Sequence, residues 1–339
     1  MNDYKVQTRK RGQTLLIVEG NHEKNELFNL LFKCFPEINI SIDNVWIYGT
    51  NIYMLYDDIT KEYGTDWVQD DTDVDLPLVI SKKVFSDSLR YKDDFTNIFL
   101  VFDYERHDPK FSEKKILNMQ KKFSDTTDMG KLYINYPMIE SYQHLKSLPD
   151  EGYKDRKVPV SLQPGKVYKK LVSNESIIEE IIDFPNKIDD AMKKEISDAG
   201  VRSKCCDEIL RIHTHDDMLS KIENVFSGVM NEMRLNTWKY TLKDWVVKKG
   251  HLDSNISYWQ YLKAVFTSII RHNICKANMI QNGTYEIEEN EYRKCFEDLD
   301  LNTVLKIQNQ CSKDDKSGYI WVLNTSVFLV ADYNFKILE

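Results

Sequence analysis

Leu15-Leu16-Ile17-Val18 is an unbroken apolar run, half of it β-branched, closed at once by Glu19 and Gly20. A run without polar alternation suits a strand buried on both faces, as in a parallel sheet. Gly20 permits a sharp turn, and a helical pattern follows from about Glu23. The run therefore puts a carboxylate at the carboxyl end of a central strand, where open α/β sheets gather their ligands. Taken alone, Glu19 reads equally well as the cap of a solvated turn.

Residues 98–105, Ile-Phe-Leu-Val-Phe-Asp-Tyr-Glu, repeat the arrangement. A buried strand runs into Asp103 and Glu105, which alternate along an extended chain and so point to one side. Glu19, Asp103 and Glu105 brought together would form a cluster that cannot stay ionised without a cation. Oxygen ligands with no neighbouring Cys or His favour magnesium or manganese over zinc. The alternative is a pair of unrelated acidic turns. A third stretch, residues 132–143, carries a strand (Leu132–Tyr136) ended by Pro137. Glu140 then falls in the first turn of a helix, a position that favours any carboxylate.

These stretches resemble the Toprim fold of topoisomerases, bacterial primases and overcoming-lysogenization-defect (OLD) nucleases. That family has a Glu after its first strand and an Asp-x-Asp after a later one, and the acids bind magnesium for phosphoryl transfer. Glu19 matches the first element, and Asp103-Tyr104-Glu105 matches the second with Glu in place of the last Asp. Glu23 is similar to the extra acid of the OLD-type branch, which uses two metals. Asn135, Pro137, Glu140 and Tyr142 resemble the element that completes the acidic site in Toprim nucleases of bacterial anti-phage and abortive-infection systems, the PARIS systems among them.

The resemblance covers roughly residues 13–145. It implies an α/β, Toprim-like (Rossmann-like), mostly parallel sheet flanked by helices. Glu19, Glu23, Asp103 and Glu105 would hold one or two Mg2+ (or Mn2+) ions, with Glu140 completing the catalytic set; the alternative role the resemblance implies for Glu19 is general acid or base. It also implies a toxic defence effector that cuts nucleic acid, RNA such as transfer RNA ahead of DNA. The partner implied is an ABC-type ATPase, and dimerisation is an implied step of activation.

At 339 residues the chain is long enough for two domains with proper cores. A formal net charge of −8 does not mark a nucleic-acid binder, which is more often basic. Locally the balance differs: from Glu151 to Leu171, Lys154, Arg156, Lys157, Lys166, Lys169 and Lys170 stand against Glu151 and Asp155. Pro149, Gly152, Pro159, Pro164 and Gly165 make the same stretch read as an exposed connection. Its lysines could grip a nucleic-acid backbone, and the two readings are compatible. The basic start (Lys5, Arg9, Lys10, Arg11) precedes too few apolar residues for a signal peptide. No run is long enough to span a bilayer, and the six scattered cysteines form no C-x-x-C pair. A cytoplasmic chain with no membrane partner is expected. No Gly-x-x-x-x-Gly-Lys loop is present, which argues against P-loop ATP binding.

The expected organisation is a catalytic domain over 1–150, a basic linker over 151–172 and a mainly helical C-terminal domain over 173–339. In the first, 1–12 is a polar lead-in, Glu23–Phe35 a helix stopped by Pro36, and Val45–Tyr48 a strand. Asp70, Asp71, Asp73 and Asp75 form a solvated loop, because Leu76 and Lys82 stand where a calcium loop needs Gly and Glu. Pro77–Leu89 reads as a short helix. Asp108 is a turn former with metal ligation as the alternative, and Ser112–Phe123 a helix with Lys114, Lys115, Lys121 and Lys122 outward. Further on, Tyr258, Leu262, Val265, Phe266, Ile269 and Ile270 make a buried helical stripe. Behind it Arg271, His272, Asn273, Lys276 and Asn278 face water or RNA. His213-Thr214-His215 and Cys205-Cys206 lack a zinc-site pattern. Tyr319–Leu323 and Val327–Val330, around Asn324-Thr325-Ser326, read as a terminal β pair.

The expected activity is metal-dependent phosphodiester cleavage. Two other readings stay open: an OLD-type nuclease acting on DNA, and an inactive Toprim-like sensor or scaffold beside an ATPase. A tyrosine nucleophile also stays open, since none of the 19 tyrosines is singled out.

Overall fold

The computed structural model describes residues 13–69, 71–84, 89–162, 165–211, 220, 223–226, 228, 231–249 and 256–339. The polar lead-in, Asp70, Pro164 and the His213-Thr214-His215 group lie outside the described residues. Eight strands are present among those described: β1 (Thr14–Val18), β2 (Val45–Ile47), β3 (Asn97–Asp103), β4 (Ser124–Asp125), β5 (Gly130–Tyr136), β6 (Lys157–Pro159), β7 (Tyr319–Trp321) and β8 (Leu323–Asn324).

The apolar run is a strand buried along its whole length, as its composition requires. β1 pairs in parallel with β2 on one side and β3 on the other. β5 adds in parallel to β3. The free edge of β5 is closed by β4 at its start and β8 at its end, both antiparallel. The sheet is therefore mostly parallel, as expected, in the order β2-β1-β3-β5-β4. The chain first steps from β1 to β2, then crosses to the other side for β3 and β5. Such a reversal opens a crevice at the carboxyl ends of β1 and β3, the switch point where doubly wound sheets bind ligands. Gly130 is required where β5 begins: its φ is +121°, and a Cβ there would sit 2.8 Å from Leu100 Cδ1.

Helices cover the sheet. Ile52–Tyr63 begins at Asn51, whose Oδ1 accepts the Met54 N–H at 3.1 Å. It packs beside Leu76–Val84 and Glu113–Lys122, with Trp67 wedged edge-on to Tyr56 and against Phe123. On the face carrying Lys131 and Tyr133, both side chains donate to Asp332 of helix Leu329–Asn334. The helix after β1 departs from its pattern: Glu23–Phe28 is π-wound before Asn29–Cys34 becomes α. A π turn accommodates an extra residue and is frequent at functional sites. Two surface expectations also change. Lys122 is buried and donates to Gln69 O, and Asp75 accepts the N–H groups of Leu78 and Lys92 at 3.0 Å rather than standing in solvent.

Contacts divide the chain into two compact units. The first comprises Met1–His144, Glu151–Val172 and Ile269–Glu339, the second Leu145–Asp150 with Ser173–Ser268. The chain does change unit after residues 150 and 172, but the segments are shared out differently: 151–172 and 269–339 both belong to the sheet-bearing unit, the latter supplying β7, β8 and a covering helix, and 145–150 belongs with the second. The stretch 151–172 is accordingly folded rather than a free linker. It holds a short helix (Glu151–Asp155), β6 and most of helix Gly165–Glu175, and it buries Tyr153, Val158, Val160, Tyr168 and Val172. No terminal β pair forms either. β7 pairs with β6, while Ser326–Phe328 is a tight helical turn leading into Leu329–Asn334. The second unit is helical, with Tyr258 packed on Phe184 and its hydroxyl donating to Ile181 O at 3.0 Å. Cys205 and Cys206 are buried on helix Ala199–Leu210, in keeping with a structural role. No helix among the described residues is long and apolar enough to cross a membrane.

The stripe Tyr258–Ile270 is buried as its spacing predicts, but the polar residues behind it face neither water nor RNA throughout. Asn273 and Lys276 are fully buried. Asn273 Oδ1 accepts from Tyr153 Oη at 2.8 Å and from the Asn324 N–H at 2.7 Å. Lys276 Nζ donates to three carbonyls, those of Tyr153 (2.9 Å), Lys154 and Arg156 (3.1 Å), and lies 4.3 Å from the Trp321 ring centre. Three donors meet three acceptors, which offsets only part of the desolvation cost of a buried ammonium, and burial still lowers the Lys276 pKa from 10.5 to about 7. Lys276→Met should keep the packing while stranding those carbonyls, with a loss of about 2–4 kcal/mol. Urea unfolding checks this: the midpoint should fall at constant slope, and an unchanged midpoint would refute the account.

Candidate acidic metal site

The parallel register sets which carboxylates meet. Val18 stands opposite Val101, so β1 ends two residues before β3 does. The Glu19 N–H continues the ladder to Val101 O at 3.2 Å, and the Glu19 carbonyl receives the Gly49 N–H from the end of β2 at 2.9 Å. Held on both sides, Glu19 turns its carboxylate to the next strand end, where Oε2 accepts the Asp103 N–H at 3.3 Å. Asp103 itself is only 4 % exposed, with Asn135 Nδ2 of β5 3.4 Å from its Oδ1.

Glu23 is 5 % exposed at the start of the π-wound segment and accepts the Gly20 N–H at 2.9 Å. This is the backward reach of a capping-box glutamate, and it keeps the side chain beside the end of β1. Glu105 lies beyond the strand. The chain becomes left-handed there, with φ +44°, so the expected strand alternation does not carry through to it. Its charge nevertheless acts on Glu19 more strongly than that of any other acid. The loop behind it is pinned: Asp108 accepts from Asn51 Nδ2 at 2.6 Å and from the Lys110 N–H at 2.7 Å. Those contacts fit the turn-forming role for Asp108.

The electrostatics separate two groups of acids. Burial, then the Glu105 charge, pushes Glu19 up from 4.5 to about 8. Burial, then Glu19 and Glu23, raises Asp103 well above the usual carboxylate range. Burial, then Asp108, raises Glu105. Like charges crowded into a dry crevice suppress one another's ionisation. Glu140 behaves oppositely. Burial works against its charge, but His22 Nε2 at 3.1 Å and Lys169 Nζ at 2.6 Å from Oε1 outweigh it and hold its pKa below the ordinary value. Lys169 is raised in return, the Glu140 pair overcoming partial burial. His22 is raised chiefly by Glu140, and its Nδ1 lies 3.3 Å from Glu26.

All five predicted acids thus surround the ends of β1, β3 and β5. Of the six predicted basic residues, Lys169 alone is paired with one of them. Lys166 and Lys170 share its helix and are exposed. Arg156 donates to His144 O at 2.6 Å, while Lys154 and Lys157 are exposed beside β6. His22 was not singled out from sequence, although it lies between Glu19 and Glu23 and four residues before Glu26. Tyr48, just after β2, donates its hydroxyl to Asp58 at 2.5 Å, and burial, then that hydrogen bond, raises its pKa.

Among the described residues no three Asp, Glu, His or Cys side chains already converge in ligand geometry. Each acid instead takes local donors: Asp103 N–H for Glu19, Gly20 N–H for Glu23, His22 and Lys169 for Glu140. The donor chemistry fits a hard divalent ion. It is all oxygen, it carries mutually repelling charge, and it includes Glu140 Oε2, which is buried and accepts no hydrogen bond. No protein-family model, curated protein or solved structure matches the chain.

A raised pKa means that the folded chain binds the Glu19 proton more tightly than the unfolded chain does. The stabilisation this proton confers is complete below pH 4.5 and is lost as the pH climbs through about 8. Glu19→Gln should therefore gain thermal stability relative to wild type between pH 5 and pH 8 in EDTA. A magnesium-induced rise in wild-type melting temperature should likewise be larger at pH 8 than at pH 5. Parallel pH profiles for the two proteins would contradict this electrostatic assignment.

Proposed function

We propose that the chain is a metal-dependent nuclease of Toprim-like fold that cleaves phosphodiester bonds, RNA ahead of DNA. The observation that carries this reading is the placing of Glu19 and Asp103 on adjacent strand ends at the switch point of the sheet, with Glu105 just beyond, where burial and neighbouring acids raise the pKa of all three. Perturbed carboxylates in such a crevice are a recurrent sign of chemistry. Glu19, Glu23, Asp103 and Glu105 would hold magnesium or manganese, with Glu140 at the edge of the set. A bound ion would supply Lewis-acid polarisation of the phosphate and a more acidic water.

The chain's own groups have distinct tasks in this reading. Glu19 Oε2 is engaged by the Asp103 N–H, which leaves Oε1 to carry a proton. As the alternative to holding a metal, Glu19 acts as general acid or base: burial and the Glu105 charge raise its metal-free pKa to about 8, where it exchanges that proton near neutral pH. Asp103 is fixed by β3 and by Asn135, so its carboxylate offers a constant position. Lys169 and His22 orient Glu140 and keep it ionised. Effector action in anti-phage defence, control by an ABC-type ATPase and dimerisation belong to the same proposal and rest on the resemblance of the three acidic stretches.

Purified protein should cut transfer RNA, messenger RNA or duplex DNA with magnesium or manganese and not in EDTA. Glu19→Gln and Asp103→Asn should each lower the rate about 100-fold or more, and the preferred polymer separates RNA from DNA. Cleavage that survives both substitutions would refute the site. If wild type is silent alone, the assay is repeated with a candidate ABC-type ATPase added, and silence there refutes the activity.

A further inference from the structure

β6 and β7 form a two-stranded ribbon, with Lys157 opposite Trp321, Val158 opposite Ile320 and Pro159 opposite Tyr319. Alternation buries Val158 and Ile320 and turns Lys157, Tyr319 and Trp321 to the other face. There the two rings meet edge to face at 5.3 Å and remain half-buried. The exposed Lys157 ammonium lies 4.1 Å from the centre of Tyr319 and 5.3 Å from that of Trp321. The inner side of Trp321 rests on Lys276, itself bonded to three carbonyls, so the platform is rigid from beneath.

The ribbon is tied to the loop that carries Glu105. Arg106 donates to Ser312 O at 3.2 Å and to Asp315 at 2.9 Å, in the turn leading to β7. His107 hydrogen-bonds to the backbone of Val160, just after β6, and the Val160 N–H reaches Gly318 O at 2.9 Å. The acids of that turn are occupied: Asp315 by Arg106, and Asp314 by the N–H groups of Lys316 and Ser317. Lys154, Lys313 and Lys316 are exposed around the ribbon.

We propose that this ribbon is a stacking platform for unpaired bases of RNA, with Tyr319 and Trp321 offering ring faces and Lys157 leaving Tyr319 to meet a phosphate. The proposal rests on the nuclease reading and names the form of substrate that the site would take. Exposed rings beside flexible cations are how single strands are held without sequence preference. Duplex DNA keeps its base faces stacked inside, whereas RNA presents them in loops and bulges. The ring pair therefore favours looped or bulged RNA over duplex DNA.

The test is fluorescence anisotropy with a labelled, unstructured RNA 12-mer and the full chain in EDTA. Tyr319→Ala should weaken binding about tenfold, Tyr319→Phe should bind like wild type, and Lys157→Ala should lose several-fold with a shallower salt dependence. Circular dichroism and the melting temperature confirm that each variant is folded. Wild-type affinity in both Tyr319→Ala and Lys157→Ala overturns the platform while leaving the nuclease reading standing. Tighter binding of a DNA 12-mer of the same sequence overturns RNA as the occupant. Absence of any nucleic-acid binding by wild type, together with absence of cleavage, overturns the nuclease reading and the platform with it.

Discussion

The hydrogen bond from the Asp103 N–H to Glu19 Oε2 joins the ends of two parallel strands that both carry acid. Parallel pairing of β1 with β3 makes that contact unavoidable, since the register ends one strand beside the flank of the other. An antiparallel arrangement would place the two ends on opposite edges of the sheet. Sheet topology thus converts residues 84 positions apart into one electrostatic unit. The cost is desolvation and repulsion, expressed as raised pKa values for Glu19, Asp103 and Glu105.

That cost is distributed unevenly. Glu140 has two cationic neighbours and stays ionised, although it is about as buried as Asp103. Glu19 and Asp103 have neutral donors, the Asp103 N–H and the Asn135 amide, which are weaker compensation for a full charge than an ammonium is. Burial by itself therefore does not decide protonation here; the identity of the donor does. The crevice has one side whose charge is already balanced by protein and another whose charge awaits balance from outside.

The part of this arrangement that can be read from sequence is the part set by local pattern. Two apolar runs ending in acids located β1 and β3 and three of the acids, Glu19, Asp103 and Glu105, and the buried stripe of Tyr258–Ile270 followed from helical spacing. The rest depends on partners remote in the chain. Lys276 and Asn273 look solvent-facing in a helical pattern, yet they are buried because Tyr153, Arg156 and Asn324 arrive from elsewhere to satisfy them. β7 looks like half of a hairpin, and only the fold shows that its partner is β6. Glu105 reaches the cluster through a left-handed turn rather than strand alternation, a conformation that residue type does not announce. The pairing of Glu140 with Lys169 joins a residue of the acidic stretches to one that composition assigned to a linker.

The C-terminal segment completes the sheet from the far end of the chain. β8 lies along the last residues of β5, Asn324 Nδ2 holds Ile139 O at 2.9 Å, and Thr325 bonds to Ile134 across 191 residues of sequence. The short helix that bears Glu140 is thus braced by residues synthesised long after it. Contacts of such separation form late, because a long loop must close before they yield any stabilisation. On the ribosome, β1, β3 and β5 emerge well before the strand that fixes the Glu140 turn, at synthesis rates of roughly 5–20 residues per second. With 191 residues between Ile134 and Thr325, a nascent chain therefore spends roughly 10–40 seconds with its acids present but the last of them unbraced. Under the nuclease reading proposed above, that order of assembly defers activity until the residues that brace Glu140 have been made.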